Sequence, residues 1–186
     1  MAFMNLRIEG DPILRKKSRP VKEINDRIRK ILEDMVETMY KEEGVGLAAP
    51  QVGKLRRLVV MDVGQGPIKM VNPEILDRSE EEVEDVEGCL SLPGFNGTVI
   101  RPEKVTLRYT DEWGEDHEVE AEGLFSRCAC HEIDHLDGVL FRDRVMKEID
   151  MEHPTEDQID YLKDHGIIKD TEDEGEEESA EENQAE

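Results

Sequence analysis

Nowhere does this 186-residue chain run for the roughly 20 consecutive apolar residues that a bilayer-spanning helix needs. No membrane segment is therefore expected. The start, Met1-Ala2-Phe3-Met4-Asn5-Leu6-Arg7, reaches Asp11-Pro12 without the apolar core of a secretory signal. Cysteine is scarce and its count, three, is odd, so no disulfide framework is expected. These absences together predict a cytoplasmic protein with reduced thiols. Basic residues are also few, 24 Lys and Arg against 47 Asp and Glu, for a net charge of −23. That balance argues against direct nucleic-acid binding, which depends on cations that neutralise phosphates. Part of the imbalance is local: residues 170–186 carry ten acids and no Lys or Arg. Such a run cannot bury enough apolar surface to offset its ordering entropy. One domain over residues 1–168 is expected, followed by a disordered acidic tail at 169–186.

What is present is arranged with clear periodicity. Ile24, Ile28, Ile31, Met35 and Met39 recur at helical spacing, with Leu32 and Val36 widening the stripe. A long amphipathic helix near the N-terminus is predicted over 24–43, with Gly44 as a left-handed stop. Residues 57–63 and 68–72 are β-rich. Val105, Leu107 and Tyr109 alternate, and alternation resumes over 118–121 after Trp113-Gly114, which predicts an antiparallel hairpin. A second helix is predicted from Gly123 to Gly138, and a short one within 155–168. The expected fold class is α+β, with mostly antiparallel sheets packed around the second helix.

That second helix carries the most informative stretch, His131-Glu132-Ile133-Asp134-His135. Histidines four apart on a helix lie about 40° apart in azimuth and roughly 6 Å apart along the axis. Both can close on one metal ion while the adjacent glutamate reaches a water beside it. A catalytic metal site usually has three protein ligands and one open position. One protease pattern would place a third histidine after Gly138, but Phe141 occupies that position. Glu148, Glu152 and Glu156 lie downstream, and composition alone leaves them open as a third ligand of an endopeptidase. A closed, structural metal site is another reading of the two histidines. Cys128 sits about 10.5 Å along the axis from His135, too far to share its ion. Cys130 points away from both histidines and reads as a small buried hydrophobe. Cys89, in Glu87-Gly88-Cys89-Leu90-Ser91, comes from a separate part of the chain and would complete a Cys-His-His set.

Leu124, Cys128, His131 and His135 fall on one helical stripe. Leu124 and Cys128 would extend from the metal as an apolar wall, joined by Val45, in a slot that suits an unbranched side chain; ordinary core packing is the other reading of these two residues. Glu87 and Asp134 are candidates for orienting the ligands, with Arg101 as a partner for Glu87. Arg127 lies off the stripe and has no assigned role.

Gly44-Val45-Gly46-Leu47-Ala48-Ala49-Pro50-Gln51, Glu87–Ser91 and His131–His135 together resemble the three signature motifs of the peptide deformylase family, in the same order, within about residues 5–147. The resemblance implies hydrolysis of the N-formyl group from nascent chains that begin with formyl-methionine. It implies Cys89, His131 and His135 as ligands of one divalent metal, iron(II) in the cell, with zinc, nickel or cobalt as substitutes. It implies Glu132 as the acid/base catalyst, Gln51 and the Leu90 N–H as oxyanion donors, and Gly46 as a main-chain substrate contact. Each role is chemically sound: a metal acidifies water, a carboxylate shuttles its proton, and preset donors stabilise the oxyanion. The family also implies a monomer working near the ribosome. Cys130 replaces the glutamine often found before the first histidine, and the acidic C-terminus differs from the basic helix of some bacterial members.

Overall fold

An extended segment and a short 3-10 turn (Pro12–Arg15) open the described chain, residues 3–169 of a computed structural model. The expected acidic tail lies, from residue 170 onward, outside the described residues. The long amphipathic helix therefore does not begin the chain. It is α1, Asp26–Lys41, and it starts one residue after Asn25, whose side-chain oxygen accepts from Ile28 N. Ile24 precedes this cap and packs on the core from outside the helix. The left-handed residue after α1 is Glu43 (φ 57°), not Gly44. Gly44 serves instead for close approach, since a Cβ there would lie 2.7 Å from Leu90 Cδ1.

The remaining elements are β1 (Gly46–Ala48), a 3-10 turn at Ala49–Val52, β2 (Leu58–Met61), β3 (Ile68–Arg78), β4 (Glu82–Cys89), β5 (Leu92–Pro102), β6 (Lys104–Thr110), β7 (Asp116–Glu122), α2 (Leu124–Leu136), a 3-10 turn at Phe141–Arg144, β8 (Lys147–Ile149) and α3 (Glu156–Asp164). The fold is α+β, with three helices and two antiparallel sheets among the described residues, ordered β1-β2-β3-β6-β7 and β4-β5-β8. The predicted hairpin is β6–β7, with Val105 opposite Ala121 and Leu107 opposite Val119. β3 runs past the expected end at Asn72-Pro73. Proline lacks a ladder donor and is tolerated at a bulge, and the register shifts there, between Val71 and Glu74. Asn72 takes φ 51°, and its amide pairs with both N and O of Val21 at 2.8 and 2.9 Å.

Successive strand residues face opposite sides of a sheet. Leu58 and Val60 of β2 accordingly meet Leu32, Met35 and Met39 of α1, while Val59 and Met61 meet Cys128, Ala129 and Leu136 of α2. At β2 the five-stranded sheet is thus covered on both faces, which is why all four of its residues are buried. Each fully buried Leu or Met contributes about 1.5–3 kcal/mol. A separate cluster of Leu14, Leu92, Val99, Leu140 and Phe141 lies under the three-stranded sheet. Among the described residues, no helix is long and apolar enough to cross a membrane.

Candidate metal centre

Cys89, His131 and His135 come together although 41 residues of sequence and a change of sheet separate the first two. Their ligand atoms all lie within 4.8 Å of one another. Cys89 ends β4 where the register shifts, from Gly88 opposite Asn96 to Cys89 opposite Leu92. That irregularity directs the thiol at α2, with Sγ 3.3 Å from His135 Nε2. The two imidazoles stand one turn apart, their centroids 5.0 Å from each other. One sulfur and two nitrogens at this separation suit a single borderline metal ion. Glu148, Glu152 and Glu156 are exposed and take no part in the cluster. A second cluster among the described residues, Asp111, Glu115 and His117, sits at the β6–β7 turn. There Asp111 is already occupied by the N–H groups of Trp113 and Glu115 and by His117.

Behind the three candidate ligands lies a buried ionic network. Glu87 Oε2 is 2.9 Å from His131 Nδ1 and 3.0 Å from Arg101 Nη2; Oε1 accepts from Arg101 Nε at 2.9 Å and from Arg127 Nη1 at 2.8 Å. Burial alone would raise the Glu87 carboxyl, but His131 and Arg101 outweigh it and hold it at about 2. With Nδ1 engaged, His131 has Nε2 left for a ligand. Arg101 also reaches Asp134 Oδ2 at 2.6 Å, and Arg144 grips the same carboxylate. The expected pair Glu87–Arg101 is therefore present, and Asp134 joins it. Arg127, which sequence reasoning left unassigned, also donates to the carbonyls of Val99 and Val83 at 2.8 and 2.7 Å. It lies four residues before His131, and that spacing was the available signal.

Glu132 is buried, and Oε2 has no hydrogen-bond partner among the described residues. Burial pushes its carboxyl up to about 7. Burial disfavours a charged His131, but Cys89 and Glu87 outweigh it and raise this imidazole to about 10. Burial and the neighbouring His131 hold His135 well below its usual range. Gly46 makes room for the glutamate: a Cβ there would lie 2.5 Å from Glu132 Oε1 and 2.7 Å from Cys128 Sγ.

Gln51 sits in the turn after β1 with its amide oriented from both ends. Oε1 accepts from Ala48 N at 2.8 Å, while Nε2 donates to Ser91 Oγ at 3.2 Å and lies 3.6 Å from Cys89 Sγ. Gln51, Leu90, Glu132, His131 and Cys89 all border one cavity of about 350 Å³. Val45, Gly46, Leu124 and Cys128 line it as well, Val45 and Leu124 exposed at its mouth and Cys128 buried within. The cavity opens between β1 and the end of β4, each an edge strand of its sheet. Cys130 lies elsewhere, against Val105 and Ala121.

The family model for polypeptide deformylase matches residues 4–150. A peptide deformylase of Caldanaerobacter subterraneus subsp. tengcongensis is 56% identical over 152 residues, covering 82% of this chain and 95% of that protein. The crystal structure of peptide deformylase from Thermotoga maritima superposes with a TM-score of 0.77 at 45% identity, over 78% of this chain and 99% of the other. A Synechococcus elongatus peptide deformylase, solved in complex with actinonin, gives 0.75 at 39% identity, over 89% and 87%.

Proposed function

The chain belongs to the polypeptide deformylase family, whose reaction removes the N-formyl group from nascent peptides, and from that premise we propose how its own residues do so. Cys89, His131 and His135 hold one divalent metal, iron(II) in the cell, with zinc, nickel and cobalt accepted by the same donors. Bound there, the metal supplies Lewis acidity toward water and toward the formyl oxygen. Glu132 Oε2 takes a proton from the attacking water and returns it to the departing amine, so that formate and a free N-terminus result. Gln51 Nε2 and the Leu90 N–H donate to the oxygen that gains charge. Val45, Leu124 and Cys128 receive the methionine side chain, and the Gly46 main chain pairs with the peptide along the β1 edge.

The observation that carries this assignment is the unpartnered Oε2 of the buried Glu132, set in the cavity bordered by Cys89 and His131 of the three-donor cluster. A monomer in the cytoplasm, passing close to the ribosome, is the setting we infer. Anaerobic reconstitution with iron(II), followed by formate release from formyl-Met-Ala-Ser, tests the reaction. Turnover well above that of Glu132→Ala is the expected result; equal rates would refute it.

A further inference from the structure

Among the described residues the N-terminal segment contributes no side chain to the site, yet its main chain is bonded to each of the three segments that do. Arg7 N–H donates to Gln51 O at 2.7 Å, Glu9 N–H to Ser91 O at 2.8 Å, and Ser18 N–H to Leu136 O at 2.7 Å. Alternate residues of an extended chain face the same way, so Arg7 and Glu9 present their donors along one edge. That edge bridges two segments 40 residues apart, whose side chains also meet through Gln51 Nε2 and Ser91 Oγ. The bridge is fixed at both ends. Met4 N donates to Thr38 Oγ1 of α1 at 3.0 Å, and Leu14 is buried beside Leu92 and Phe141.

We propose that Glu9 is a positioning residue for the oxyanion side of the site: its main-chain N–H pins Ser91, and with it the Leu90 N–H one residue earlier, at a set distance from Gln51. This rests on the deformylase mechanism proposed above. Ser91 is fully buried, so without Glu9 N–H its carbonyl has no ready water to accept from, and the β4–β5 turn is left to drift.

The local turn permits a clean test. Asp11 N bonds to Ile8 O at 3.0 Å, and Gly10 has φ +104°. Glu9 thus occupies the second position of a four-residue turn whose third is a left-handed glycine, a place that accepts proline. Glu9→Pro removes the N–H and keeps the turn. Glu9→Ala keeps the N–H and, like the proline variant, loses the Glu9–Arg142 ion pair of 3.1 Å. With iron-reconstituted protein, Glu9→Ala should match the wild type. Glu9→Pro should lower kcat for formate release about tenfold, with metal content and KM unchanged and with faster amide exchange across residues 88–92. Equal kcat and equal exchange in the two variants would overturn the proposal. Should Glu9→Pro not fold, exchange in the wild type decides: the Glu9 amide should open together with those of 89–92. A Glu9 amide that exchanges far faster than a protected 89–92 would overturn it. If the wild type released no formate, the proposed mechanism would fail, while the exchange measurement would still judge the pinning.

Discussion

His131 Nδ1 stands 2.9 Å from Glu87 Oε2, so a carboxylate on β4 orients a ring carried by α2. A ligand imidazole whose second nitrogen is anchored keeps its tautomer and direction. Replacing Glu87 with Ala should weaken metal binding by about 10–100-fold, measured by competition with a chelator. Unchanged affinity would remove Glu87 from the metal centre.

Arg127 serves one carboxylate oxygen and two carbonyls from a buried position. Arg127→Met strands Val83 O and Val99 O and leaves Glu87 to Arg101 and His131. A loss of about 2–4 kcal/mol in urea unfolding is expected. Arg127→Lys should not restore it, because an ammonium cannot reproduce the planar fork. Full recovery by lysine would show that charge alone matters.

A methyl group on residue 46 has nowhere to go. Gly46→Ala would set a Cβ 2.5 Å from Glu132 Oε1, so either the carboxylate or β1 must move. Loss of at least about 100-fold in kcat is expected, as for Glu132→Gln. The double variant should be scarcely worse than either single one, since both disable the same group. Additive losses would place the Gly46 effect elsewhere.

At the far side of the three-stranded sheet, Tyr161 of α3 donates its hydroxyl to Glu84 of β4 in a short hydrogen bond, and Lys147 Nζ lies over the Tyr161 ring. Burial pushes the Glu84 carboxyl up, but the Tyr161 hydroxyl and the charges of His165 and Arg127 bring it below its ordinary 4.5. A depressed carboxylate stabilises fully above its ordinary pKa and loses that contribution as the pH falls through the lowered one. Once corrected for the intrinsic pH dependence of exchange, amide exchange in α3 should therefore quicken below pH 4.5. Tyr161→Phe should quicken it already at pH 7, by about 1 kcal/mol in opening free energy, and flatten the acid step. An acid step of wild-type size in that variant would point to another group.

The sequence made the helix of the candidate metal centre legible because two histidines and a glutamate follow helical spacing, and geometry left Cys89 as the cysteine able to join them. The β6–β7 hairpin was equally plain from its alternation. Other features were hidden for physical reasons. Asn72-Pro73 resembles a strand end, yet a bulge and the Asn72–Val21 pairing carry β3 through it. Arg127 looked misplaced because only its helix face was visible, not the β4 and β5 carbonyls it meets. The role of residues 7 and 9 is invisible in principle, since main-chain N–H groups are common to nearly every residue.

The cavity mouth lies between two sheet edges that are unpaired among the described residues, β1 and β4. Edges display peptide N–H and C=O groups, which any polypeptide can match whatever its side chains. A catalyst built on such edges can be a generalist along the body of its client and selective only at the tip, where a pocket of limited volume ends the groove. On the proposed function, choosiness would be confined to the one residue that newly made clients share.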